Sequence, residues 1–187
     1  MKKLLAFILT FAAVLSVAEL GNTAGAVSEK VLRLHVMAAS DSAEDQELKL
    51  LARDGVLEYL TPLLAGCGSQ GEAAAVAEEN LPAIARAAAE ASGQRASVSL
   101  VREDFPAREY ENVALPAGEY LALRIELEGG AGRNWWCVVF PPLCTALTAQ
   151  DEEDAFAIFD EEEAELISGK GRVIKFRLLE WLKELVN

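Results

Sequence analysis

Apolar and polar positions alternate along "KVLRLHVMAAS" (Lys30–Ser40), with Leu32, Leu34, Val36 and Ala38 on one side and Val31, Arg33, His35 and Met37 on the other. A period of two predicts a strand. The period then lengthens. Ser42 with Asp45 makes a Ser-x-x-Asp helix start, and Leu48, Ala52, Val56, Leu60 and Leu63 recur at helical spacing. Pro62 and the "GCG" turn end or kink that helix. Asp45 and Lys49 are spaced for an i,i+4 ion pair on its outer face. The alanine-rich run 71–92 predicts a kinked helix, or two short ones, interrupted at Pro82.

"QRASVSLVRE" predicts a further strand, and "FPAREYENVALPAG" a connecting loop. "EYLALRIELEGG" alternates most clearly, with Leu121, Leu123, Ile125 and Leu127 opposite Tyr120, Ala122, Arg124 and Glu126. "EGGAGRN" reads as a glycine-rich hairpin loop leading into Trp135–Phe140. That strand is apolar on both faces. Either it lies centrally with both faces covered, or one aromatic face is exposed for a partner. The acidic run 151–165 reads as a solvated linker, and "RVIKFRLLEWLKELVN" as a strand followed by an amphipathic helix. No internal repeat is visible. The order predicts a two-layer α+β domain with a mostly antiparallel sheet and helices packed on one face.

The start of the chain changes the compartment. Lys2 and Lys3 precede an apolar run from Leu4 to Ala18, and Ala24-Gly25-Ala26 offers a small-x-small cleavage pattern. Fifteen apolar residues are short for a membrane span, which needs about 20. Residues 1–26 therefore read as a signal peptide, with an uncleaved anchor as the alternative, and 27–187 as one secreted domain. The whole chain carries a formal charge of −13, and removing two lysines and Glu19 leaves −14. Such a surface excludes nucleic acid and an anionic membrane face as partners.

Export permits a disulfide. Of three cysteines, Cys67 sits in a turn-like stretch while Cys137 and Cys144 flank Pro141-Pro142. A turn at the prolines would bring Cys144 back towards Cys137, and closing so small a loop is worth roughly 2–3 kcal/mol. Two buried free thiols are the alternative.

Catalytic chemistry finds little support. His35 is the sole histidine. A hydrolase would have to combine it with Asp41 and a serine such as Ser40, or a cysteine such as Cys137. Zinc on His35, Cys137 and Cys144 lacks a fourth ligand and standard spacing. The acidic run lacks the spacing of a calcium loop, and the scattered glycines form no phosphate cradle. No cofactor and no metal are expected.

Three runs, "VLRLHVMAASDSAEDQELKLLARDGVLEYL", "LPAGEYLALRIELEGGAGRNWWCVVFPPLC" and "VIKFRLLEWL", resemble the stage II sporulation protein R family of endospore-forming bacteria. The chain departs from that pattern at Ala39, where the family carries asparagine, and at Ala52, where it carries a larger residue. The resemblance implies a signalling protein, not an enzyme. Such a protein is made in the forespore and secreted between the forespore and mother-cell membranes. There it activates a membrane-embedded aspartic protease of the mother cell, the sigma-E processing peptidase, which cleaves pro-sigma-E. On this reading His35, Ser40, Asp41, Asp45, Trp135 and Trp136 are candidates for partner contact.

Overall fold

The computed structural model describes residues 21–110, 113–143 and 155–168. In chain order it contains β1 (Leu32–Met37), α1 (Ala43–Leu64), α2 (Gln70–Glu79), α3 (Leu81–Ser92) and β2 (Ala96–Phe105). β3 (Arg108–Glu109), β4 (Ala114–Leu115), β5 (Gly118–Leu127), β6 (Asn134–Phe140) and α4 (Glu161–Ile167) follow. Two compact units result, one of Glu29–Asp104 with Glu119–Ile158, the other from the described parts of Met1–Ser28, Phe105–Gly118 and Phe159–Asn187.

The larger unit is the α+β layer pair that the alternation predicts, but its sheet is mixed. Strand order is β2-β5-β1-β6. β1 runs parallel to β5, pairing Leu34 with Leu123, and antiparallel to β6, pairing Leu34 with Cys137. Glu128 N donates to Arg95 O while Arg102 reaches Glu119, so residue numbers fall on β5 as they rise on β2 and those two strands are antiparallel. The glycine-rich loop 128–134 is therefore not a hairpin. β1 lies between the strands it joins, and β6 sits at the end of the four-strand order rather than at its centre.

One sheet face carries Leu32, Leu34, Val36, Leu123, Ile125, Leu127, Cys137 and Val139 into a core with residues of α1, α2 and α3. The buried stripe of α1 is Lys49, Ala52, Val56, Leu60 and Leu64. It replaces the expected Leu48 and Leu63 at its ends, and Leu63 is exposed. The alanine-rich run breaks at Asn80, and Pro82 stands in the first turn of α3, where its missing N–H costs nothing. The smaller unit contains a surprise in the expected loop: β3 and β4 pair antiparallel, and Val113 bridges Ser168. Part of the acidic run is also ordered. Asp160 and Glu163 form a capping box at the start of α4, and Glu163 is buried. Residues 151–154 and the expected C-terminal strand and helix lie outside the described residues.

Gly55 explains how α1 and α3 approach. A Cβ there would stand 2.6 Å from the Ala91 Cβ and 3.0 Å from the Ala87 carbonyl oxygen. Glycine inside a helix costs about 1 kcal/mol relative to alanine, and the close crossing is what the missing side chain permits. Gly55→Val is expected to overpack this contact and to lower stability by about 1–3 kcal/mol. Urea melts would check it, and a melt unchanged from wild type would show that the helices are not in contact there.

Candidate functional site

Between Met37 and the first residue of α1 the chain must leave the sheet and begin a helix within five residues. Ser42 is the helix N-cap, its hydroxyl accepting from Asp45 N at 3.1 Å. The Asp45 carboxylate is used elsewhere, accepting from Ser40 Oγ and, at 2.7 Å, from Gln94 Nε2. Gln46 Nε2 donates to Ser40 O at 2.8 Å. Ser40, Asp45 and Gln94 thus tie the end of β1 and the start of α1 to the residues after α3. The Ser40 hydroxyl, followed by the Gln94 amide, holds the Asp45 carboxyl below the usual carboxylate range.

The loop from β5 to β6 closes over the same place. Glu128, Gly129 and Gly130 all take positive φ, which glycine tolerates without steric penalty. Gly132 N donates to Ala38 O at 2.8 Å, and a Cβ on Gly132 would collide with the Ser40 carbonyl. Arg133 N donates to Asp41 Oδ1 at 2.8 Å. Lys49 completes the clasp, donating to Gln46 Oε1 and to Arg133 O at 3.1 Å. This corrects the expected Asp45–Lys49 pair: Lys49 is buried, and desolvation, aided by the nearby Arg133 charge, lowers its ammonium below the usual lysine range.

His35 and Trp136 occupy the sheet face away from the helices. They are register partners across β1 and β6, and their rings stack with centroids 3.9 Å apart and planes 19° apart. His35 Nδ1 lies 2.8 Å from Glu103 Oε1. Beside them the fully buried Arg33 donates from Nε to Cys137 O at 3.1 Å, with its guanidinium over the Tyr120 ring. Trp135 points to the other face, where Arg53 of α1 lies 4.6 Å above its ring.

The six candidate contact residues therefore fall into three places. Ser40, Asp41 and Asp45 share the clasp, Trp135 stands on the helix side of β6, and His35 with Trp136 lies on the opposite face. The hydrolase set is not assembled. His35 is engaged by Glu103, Asp41 faces Arg133, and Cys137 belongs to the helix-side core, across the sheet from His35. Cys67 is a free cysteine, and Cys144 lies outside the described residues. Among the described residues no group of three or more His, Cys, Asp or Glu side chains could hold a metal ion. Among them, too, no helix is long and apolar enough to cross a membrane. Gln94, Glu103, Arg133 and Arg53 were not foreseen. Each acts across 49 or more positions of chain, a placement that local patterning does not encode.

Residues 28–150 match the family model described as stage II sporulation protein R. The chain is similar to the stage II sporulation protein R of Bacillus subtilis (strain 168), 35% identical over 86% of this chain and 84% of that one. No solved structure matches it.

The Asp45 network has an acid-side consequence. A carboxyl whose folded pKa is depressed contributes stability above its unfolded value of about 3.9, and that contribution is lost as pH falls through the lower folded value. Asp45→Asn should therefore melt below wild type at neutral pH, and the gap should close on acidification past the usual carboxylate range. A gap independent of pH would contradict the role given to the ionised carboxylate.

Proposed function

Because the chain belongs to the stage II sporulation protein R family, we propose that it is the secreted forespore signal that activates a mother-cell membrane aspartic protease. That protease, the sigma-E processing peptidase, then removes the pro-sequence of pro-sigma-E. The observation that carries this reading is the meeting of two sequence runs about ninety positions apart. The "HVMAASDS" run and the "GRNWWC" run bear the family resemblance, and they are clasped together by Gly132–Ala38, Arg133–Asp41 and Lys49–Arg133 bonds. A ligand needs such a composite, rigid surface, and a rigid surface loses less entropy on binding.

Ser40, Asp41, Asp45 and Trp135 are the contact residues of this proposal. His35 is only 4% exposed, so it supports Trp136 from within the sheet. The protein acts by binding and not by catalysis. Residues 1–26 direct export and are removed, and 27–187 form one secreted domain in the space between the two membranes. Both compact units are built from non-contiguous segments, so no single cut would release either. In the oxidising compartment Cys137 pairs with Cys144. This is supported by Cys67 being a free cysteine.

Co-expression with the protease and pro-sigma-E tests the reading. Wild type should cause removal of the pro-sequence, and His35→Gln should retain that activity wherever it folds. A folded His35→Gln that has lost activity, beside a wild-type protein that cleaves substrates unaided, would replace the ligand with a hydrolase. For the cysteines, non-reducing peptide mapping of exported protein should recover Cys137 linked to Cys144 and Cys67 alkylated. Three alkylated thiols would reject the bond.

A further inference from the structure

Among the described residues three large apolar side chains are exposed, Leu51 and Leu63 on α1 and Trp135 on β6. Trp135, 36% exposed, differs because a cation is held over its ring. The Arg53 side chain is mostly covered and is held in turn by Asp54, its Nε donating to Oδ1 at 2.7 Å. We propose that Trp135 and Arg53 form a preorganised anchor for a protein partner presenting an apolar recess bordered by carboxylates. This rests on the activator reading above, under which the partner is the membrane protease.

The geometry is that of two short rows facing each other. Lys49 and Arg53 are one turn apart on α1, and Trp135 in β6 follows by two residues Arg133, which directly precedes that strand. The Lys49 Nζ bond to Arg133 O at 3.1 Å fixes one row against the other. Tryptophan and arginine dominate the few residues that carry interface energy, and a ring whose rotamer is already held by a stacked guanidinium has less freedom to lose on binding.

Charge selects the partner. The chain carries −13 overall, yet Lys49, Arg53 and Arg133 gather here, close enough for both arginines to bear on the lysine. Their counter-ions Asp41 and Asp54 are 69% and 59% exposed. Exposed ion pairs of this kind are weak, so an incoming carboxylate can replace Asp54 on Arg53 or share the Arg133 guanidinium while Asp41 keeps its bond to Arg133 N. The remaining acidic surface repels the same carboxylate, which orients the encounter and discriminates against wrong poses. Nucleic acid, an anionic lipid surface and a second copy of this acidic chain all meet that repulsion over a larger area.

The test is pro-sigma-E processing in cells that also make the protease. Trp135→Ala and Arg53→Glu should each slow it about tenfold or more, while Arg86→Glu, exposed on α3, should leave it unchanged. Melting curves accompany each variant. If Trp135→Ala is unstable, Arg53→Glu and Trp135→Phe decide the matter. A wild-type protein that triggers no processing removes the activator reading itself. Normal processing by folded Arg53→Glu, beside an active wild type, removes the anchor alone. Trp135-dependent sedimentation with phosphatidylglycerol vesicles, or a Trp135-dependent dimer in solution, would assign the patch to a membrane or a second copy and would also overturn it. Restoration of Arg53→Glu activity by an acidic-to-basic change in the protease would support it.

Discussion

β1 must satisfy two hydrogen-bonding edges and two faces with six residues, and two of those six are Arg33 and His35. Strands covered on both faces are ordinarily near-continuous apolar runs, because a buried charge without partners is costly. Here the polar pair is accommodated by neighbours on three strands. Arg33 reaches the Cys137 carbonyl on β6 and the Tyr120 ring on β5, and His35 reaches Trp136 on β6 and Glu103 on β2. The alternation that marks β1 as a strand thus also sets its place in the sheet. A one-residue slip would carry Arg33 and His35 into the leucine core.

From that placement the clasp follows. With β1 between β5 and β6, the connecting loop has to pass over the end of β1, where Gly132 packs against the Ser40 backbone. The polar run after β1 is consequently a joint as much as a surface. Ser40 and Asp45 stabilise the turn into α1, and Asp41 holds the passing loop. The exposed edges of these same residues face solvent beside Arg133, and on the activator proposal binding and folding draw on one set of side chains.

Local chemistry was legible and long-range placement was not. Ser42 and Asp45 announced the α1 cap, Pro82 the break between α2 and α3, and the Leu121–Leu127 alternation the buried face of β5, because each depends on near neighbours. The glycine-rich loop reads as a hairpin because "EGGAGRN" carries turn residues whether or not a third strand intervenes. Lys49 looked like a solvated half of an i,i+4 pair because its acceptor, the Arg133 carbonyl, comes from 84 positions away. For the candidate site, Ser40, Asp41 and Asp45 stand out by residue type, and the structure brings the three into one clasp. That His35 and Cys137 face opposite ways followed only once the register was known.

On the activator proposal this protein acts on the protease by contact from outside the mother-cell membrane. The most direct test places the sigma-E processing peptidase in sealed vesicles with pro-sigma-E enclosed and adds purified protein to the external face alone. Pro-sequence removal inside the vesicles is expected on addition of the protein, and none when the protein meets pro-sigma-E without the protease. Processing that proceeds equally without the added protein, or cleavage of pro-sigma-E by the protein by itself, would contradict it.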